Sequence, residues 1–78
     1  MTLHNLDVVV LNEDQPGHGL KRGDLGTVVE VYAPDAVAVE FVTASGRTQA
    51  LITLPPSALR CVSDDDLIAV RPTTGRTA

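Results

Sequence analysis

Aromatic side chains are almost missing from this 78-residue chain, which has one Tyr, one Phe and no Trp. Domains that read proline-rich peptides need an aromatic-lined groove, and proteins that bind single-stranded nucleic acid stack bases on exposed rings. Tyr32 and Phe41 cannot build either surface, because the strand pattern described below places them on opposite faces of the sheet. The composition therefore argues against both kinds of binding protein.

Cysteine and histidine are equally scarce. The single Cys61 excludes an internal disulfide framework and a four-cysteine zinc site, and it fits a reducing compartment. His4 and His18 stand apart, without the close spacing that metal ligands need. Cys61 lies in a predicted strand, where we expect a small core residue rather than a nucleophile. The sequence therefore predicts no metal, no cofactor and no catalytic residue, so the protein is expected not to be an enzyme.

Basic residues and long apolar runs are also few. Six Lys and Arg oppose ten Asp and Glu, which gives a net charge of −4, and an acidic chain is a poor match for a phosphate backbone. No apolar run approaches the ~18 residues of a membrane span, and the start MTLHNLD lacks the basic residues of a signal peptide. We expect a cytoplasmic protein with no membrane partner.

What the chain does contain is β-forming residues. Eleven Val and eight Thr occur in short runs that Gly, Pro and Asp separate, and no segment has the apolar stripe of an amphipathic helix. The pattern predicts strands over residues 7–11, 26–33, 36–43, 48–54 and 60–62, with a single 3₁₀ turn over 55–59. This order predicts an all-β fold, a small five-stranded SH3-like barrel with a short 3₁₀ turn before the last strand.

The barrel is expected to occupy residues 1–62, and residues 63–78 differ from it. Ser63 to Asp66 form an acidic turn, and residues 67–70 (LIAV) can add a strand to this barrel or to a neighbouring one. The following residues, 71–78, have no apolar side chain large enough to pack, which predicts a flexible tail.

The pairing of the strands can be predicted from the turns. A two-residue turn at Ser45-Gly46 places Phe41 opposite Ala50, and Val42 opposite Gln49. For the preceding pair of strands, 26–33 and 36–43, we place Val31 opposite Val39, which puts Glu30 opposite Glu40. Six residues then share the outer face of the barrel: Val28, Glu30, Tyr32, Glu40, Val42 and Leu51. An apolar surface that contains charge is typical of a docking site for another protein. The alternative is that residues 67–70 fold back over it.

Several segments resemble a known family, and they cover about residues 6–62: LDVVVL, PGHGLKRGDLGTVVEVY, VEFV, GRTQALITLP and LR. The family consists of short bacterial proteins known only as a domain of unknown function. The resemblance implies an SH3-like fold and a small accessory protein. It supplies no catalytic residue.

We therefore expect a non-catalytic module that docks another protein through its outer sheet face. One form of this function is an accessory or antitoxin-like component, whose partner is encoded by a neighbouring gene. Another is a structural subunit of a larger enzyme complex. A second copy of the chain is a further candidate partner. The alternative from another class is weak nucleic-acid binding by a basic rim of Lys21, Arg22 and Arg47.

Overall fold

The computed structural model describes residues 2–73, and this part of the chain is an all-β domain. Its strands are β1 (Val8–Leu11), β2 (Leu25–Tyr32), β3 (Ala36–Val42), β4 (Thr48–Leu54) and β5 (Leu59–Cys61). Within the described residues, short 3₁₀ turns at Pro16–His18 and Pro56–Ala58 are the remaining regular elements. The second of these turns precedes β5, as predicted.

All neighbouring strands are antiparallel, and they form one sheet in the order β4-β3-β2-β1-β5. The predicted fold class and SH3-like strand order are confirmed. The sheet is open, because β4 and β5 are its two edges and do not pair with each other among the described residues. Each edge strand therefore presents unpaired backbone groups that could pair with another chain.

One face of the curled sheet forms the core. The residues that pack there come from every strand, from the segment before β1, from the long β1–β2 loop and from the turn before β5: Leu3, Val9, Leu11, Leu20, Val28, Val37, Val39, Phe41, Ile52, Leu54, Ala58 and Leu59. Both edge strands contribute to this single cluster, so the sheet must curl around it. We call the opposite side of the sheet the outer face.

The β3–β4 hairpin confirms most of the predicted register. Phe41 lies opposite Ala50, and Val39 opposite Ile52, with all four side chains turned toward the core. Since side chains alternate along a strand, this register places Leu51 on the outer face opposite Glu40.

The tip of the same hairpin differs from the prediction. The N–H of Gly46 donates to the carbonyl of Thr43 (2.9 Å), and the N–H of Thr43 donates to the carbonyl of Arg47 (2.8 Å). These bonds close a three-residue loop, in which Gly46 alone adopts a positive φ of 90°. A register shift in the adjoining strands then places Val42 opposite Thr48. The predicted Ser45-Gly46 two-residue turn and the pairing of Val42 with Gln49 are wrong.

The predicted pairing of β2 with β3 is also wrong. Val28 lies opposite Val39 and Glu30 opposite Ala38, with a β-bulge between Val28 and Glu30. The extra residue reverses the alternation of the strand. Val28 therefore faces the core and is 0% exposed, so it does not belong to the outer face where the prediction placed it. Glu40 lies opposite Thr27, so the two glutamates do not oppose each other.

Two further expectations are corrected outside the hairpins. Cys61 is exposed rather than buried. It is the last residue of β5, an edge strand that has a neighbouring strand only on the β1 side. Residues 67–70 form no strand. Arg71, the first residue of the predicted flexible tail, makes the hydrogen bonds described below. Residues 74–78 of that tail lie outside the described part of the chain.

Candidate functional site

The outer face carries exposed apolar side chains on three adjacent strands. Tyr32 of β2, Val42 of β3 and Leu51 of β4 are each about half exposed. Single exposed apolar residues are normal on a protein surface. These three lie on neighbouring strands of one face, with Val42 and Leu51 toward the β3–β4 turn and Tyr32 beside Ala36 at the other end of β3. They therefore define an elongated surface, about 20 Å long at ~3.3 Å per residue.

Two carboxylates accompany these side chains. Glu30 is exposed beside Tyr32 on β2, and Glu40 is half-buried at the centre of β3. The hydroxyl of Thr48 donates a 2.6 Å hydrogen bond to the Glu40 carboxylate. This bond holds Glu40 in place against Leu51, which lies directly opposite on β4. Five of the six residues predicted for this face are therefore on it.

Residues 66–71, which we call the C-terminal strap, run from β5 to the start of β2 and are hydrogen-bonded at both ends. Its first end is held by Arg60 of β5, whose guanidinium donates two hydrogen bonds to Asp66, at 2.8 and 2.9 Å. The backbone N–H of Ser63 donates to the same carboxylate at 2.8 Å. These hydrogen bonds hold the pKa of Asp66 well below its usual range, and the bonds from Arg60 have the largest effect.

The second end of the strap is held at the start of β2. Nε of Arg71 donates to Asp24 at 2.8 Å, and Nη2 donates both to Asp24 and to the carbonyl of Gly19 (3.1 Å). Burial acts to raise the pKa of Asp24, but hydrogen bonds from Arg71 and from the backbone N–H of Lys21 outweigh it, so the pKa is lowered. The Asp24 carboxylate is thus charged and paired.

One residue of the outer face is buried. Val10 of β1 pairs with Arg60 on one side and with Leu25 on the other, and alternation along β1 places its side chain on the outer face. It is nevertheless only 6% exposed. Its neighbours across the sheet are Arg60, which anchors one end of the strap, and Leu25, which follows the other anchor, Asp24, so both ends of the strap are held next to the neighbours of Val10.

The strap does not bury its own apolar side chains. Leu67, Ile68 and Val70 are all highly exposed. Val70 and Val42 both line an open groove of about 540 Å³, to which the β1–β2 loop, the β3–β4 hairpin and the strap all contribute. The strap thus adds apolar surface to the groove that Val42 lines.

The predicted basic rim is mixed with acidic groups. The backbone N–H of Arg22 donates to Asp14 (2.8 Å), and that of Lys21 donates to Asp24. Arg47 lies at the hairpin tip, beside a different groove from the one that Lys21 lines. The three basic residues therefore do not form one uninterrupted positive surface.

Other kinds of site find no support in the part of the chain that the structure describes. No group of three or more His, Cys, Asp or Glu side chains is placed to hold a metal ion there. Residues 2–73 also contain no helix that is long and apolar enough to cross a membrane.

The fold and the outer face define a small all-β domain with an open sheet. The chain belongs to the family described as domain of unknown function DUF4926, whose model matches residues 5–61. The matched region ends at the last residue of β5, so the strap lies beyond it. The family description names no catalytic activity. No curated protein matches the chain, and neither does any solved structure.

Sequence reasoning missed the four residues that anchor the strap: Asp24, Arg60, Asp66 and Arg71. The triple Asp64-Asp65-Asp66 by itself indicates only a solvated acidic turn. The Arg71–Asp24 pair joins residues 47 positions apart, and no spacing rule connects such residues. The sequence feature that points to an anchor at this end is the arginine directly after the apolar segment LIAV.

Proposed function

We propose that this protein is a non-catalytic interaction module that docks another protein on the β2–β3–β4 part of its outer face. The docking patch consists of Glu30, Tyr32, Glu40, Val42 and Leu51. The observation that carries the proposal is the presence of three half-exposed apolar side chains on β2, β3 and β4 of one sheet face. Interfaces of this kind combine an apolar centre with a polar margin.

The charges of the patch indicate the chemistry of the partner. Glu30 and Glu40 are the charged members of the patch, and the whole chain carries a net charge of −4. Complementary charge steers association and suppresses wrong partners. The expected partner therefore presents an apolar surface with Lys or Arg placed to meet these two carboxylates.

Two biological roles use the same surface. In an accessory or antitoxin-like role, the module would cap a protein encoded by a neighbouring gene; in a structural role, it would be a subunit of a larger enzyme complex. In both roles the chain supplies binding and no catalytic group, in keeping with a family description that names no activity. The identity of the captured partner distinguishes the two.

Affinity capture from the native cell tests the proposal with matched variants. Tyr32→Ala and Glu30→Lys change exposed side chains of the patch, so they should cost little stability. Truncation of an interface anchor typically weakens binding by about 1–2 kcal/mol or more, so capture of a given partner should fall by about 5- to 30-fold. Thermal unfolding of each variant confirms that the fold is kept.

The control is a rim variant that carries both Lys21→Glu and Arg22→Glu. It should capture the same partner as the unchanged protein. The proposal is wrong if the rim variant loses capture while Tyr32→Ala retains it, or if the purified protein binds single-stranded RNA or DNA with micromolar, strongly salt-dependent affinity that only the rim variant abolishes.

A further inference from the structure

The two edges of the open sheet are protected very differently. β5 is three residues long and has Arg60 at its centre, and the strap begins beside it at Asp66. β4 is seven residues long (TQALITL), with neither a charged residue nor a proline. Short length and charge are the usual means by which natural edge strands avoid pairing with other chains. β5 has both of these features, whereas β4 has neither.

We propose that β4 pairs with β4 of a second copy of this chain, antiparallel and about a two-fold axis at Leu51. An unpaired edge offers a row of backbone N–H and C=O groups, and the occupant that satisfies them is another extended strand. A second copy supplies such a strand from the same surface, as a two-fold symmetric interface requires.

The residues of β4 favour this register. Leu51 is the midpoint of Thr48–Leu54, so the register in which Leu51 lies opposite Leu51 lets the whole strand overlap. The two most exposed apolar side chains of the edge then meet, since Leu51 is 59% exposed. No like charges face each other in this register, because β4 contains no charged residue.

The paired molecule would be a ten-stranded sheet with the outer faces of both copies on the same side. The two docking patches then lie next to each other across the new strand pair. A single strand pair buries less than the ~1,200 Å² of a standard interface, which corresponds to weak association. We expect dimers to form at tens of micromolar rather than at nanomolar concentration.

Sedimentation velocity on the full chain, from about 10 to 300 μM, measures this association. Leu51→Lys and Leu51→Glu each place like charges directly opposite at the axis, which disfavours pairing, so each variant alone should remain monomeric. An equimolar mixture of the two should dimerise, because opposite charges then meet. Since Leu51 is exposed, both variants should keep the fold, which circular dichroism checks.

A Tyr32→Ala variant separates this proposal from the docking function. Tyr32 lies on β2, two strands away from the β4 edge, so its loss should leave the dimer intact while it weakens capture of the partner. The β4 pairing is wrong if the unchanged protein is monomeric at 300 μM, or if the mixture of charged variants remains monomeric. It is also wrong if association survives both charges at Leu51 and is lost on replacing Leu67, Ile68 and Val70 with Ser, because the strap would then be the contact.

Discussion

Gly26 shows how closely the core is packed at the level of single residues. It lies opposite Val9 in the middle of the β1–β2 pair. A Cβ atom added at this position would lie 2.6 Å from Cγ1 of Val39 and 2.8 Å from Cε2 of Phe41. Glycine is unfavourable in a strand interior, and here the approach of two core side chains from β3 explains its presence.

Replacing Gly26 with Ala should therefore lower the free energy of unfolding by about 1–3 kcal/mol, the usual effect of overpacking a core. Urea denaturation measures the change. Gly17→Ala is the matched control, because a Cβ atom there meets nothing within 4 Å and the backbone needs no positive φ. In a Val39→Ala background the added methyl gains space, so Gly26→Ala should cost less. Equal effects at Gly17 and Gly26 would contradict this account of the core.

At the level of elements, the C-terminal strap is held at both of its ends. Its two anchors, Arg60–Asp66 and Arg71–Asp24, differ in exposure. In the Arg71–Asp24 pair, the side chains are 31% and 18% exposed, so this pair is partly shielded from solvent. Bidentate contacts of arginine with a carboxylate are among the stronger charged hydrogen bonds.

We predict that Arg71→Gln releases this end of the strap. Unfolding experiments at pH 7 should show a loss of about 1 kcal/mol or less, as for partly exposed ion pairs, and amide exchange near Val10 should become faster. Arg22→Gln is the control, because the Arg22 side chain makes no ion pair among the described residues. Loss of stability in the control alone would contradict the role of Arg71.

The same pair predicts a dependence on pH. The pKa of Asp24 is lowered in the folded protein, whereas an unfolded Asp titrates near ~3.9. A depressed folded-state pKa stabilises the protein above the unfolded value, and this stabilisation is lost as the pH falls through the folded value. The stability difference between the unchanged protein and Arg71→Gln should therefore be constant near neutral pH and shrink below about pH 4. A difference that grows on acidification would contradict the pairing.

The elements also show which parts of the fold the sequence can predict. Alternation and turn residues placed every strand within one residue of its bounds, because each strand has a local pattern of period two. The bulge between Val28 and Glu30 has no local signature, because the residues around it keep the regular alternation of an unbroken strand. One inserted residue was enough to move Val28 from the docking patch into the core, while Glu30 and Tyr32, beyond the bulge, stayed outside.

At the level of the whole molecule, the proposal depends on which surface the chain leaves open. Val10 is buried whereas Tyr32, Val42 and Leu51 are exposed, and the acidic charge disfavours a nucleic-acid partner. Lys21 and Arg22 of the basic rim lie in the loop before β2, at the opposite end of that strand from Tyr32. The two candidate surfaces can therefore be distinguished by position.

Site-specific photo-crosslinking in the native cell compares these surfaces most directly. A photoreactive phenylalanine analogue replaces Tyr32 in one protein and Arg22 in another, both at exposed positions. The docking account predicts that one discrete protein adduct, other than a second copy of the chain, forms from position 32 and is absent from position 22. Adducts that form from position 22 alone, to nucleic acid or to protein, would contradict it.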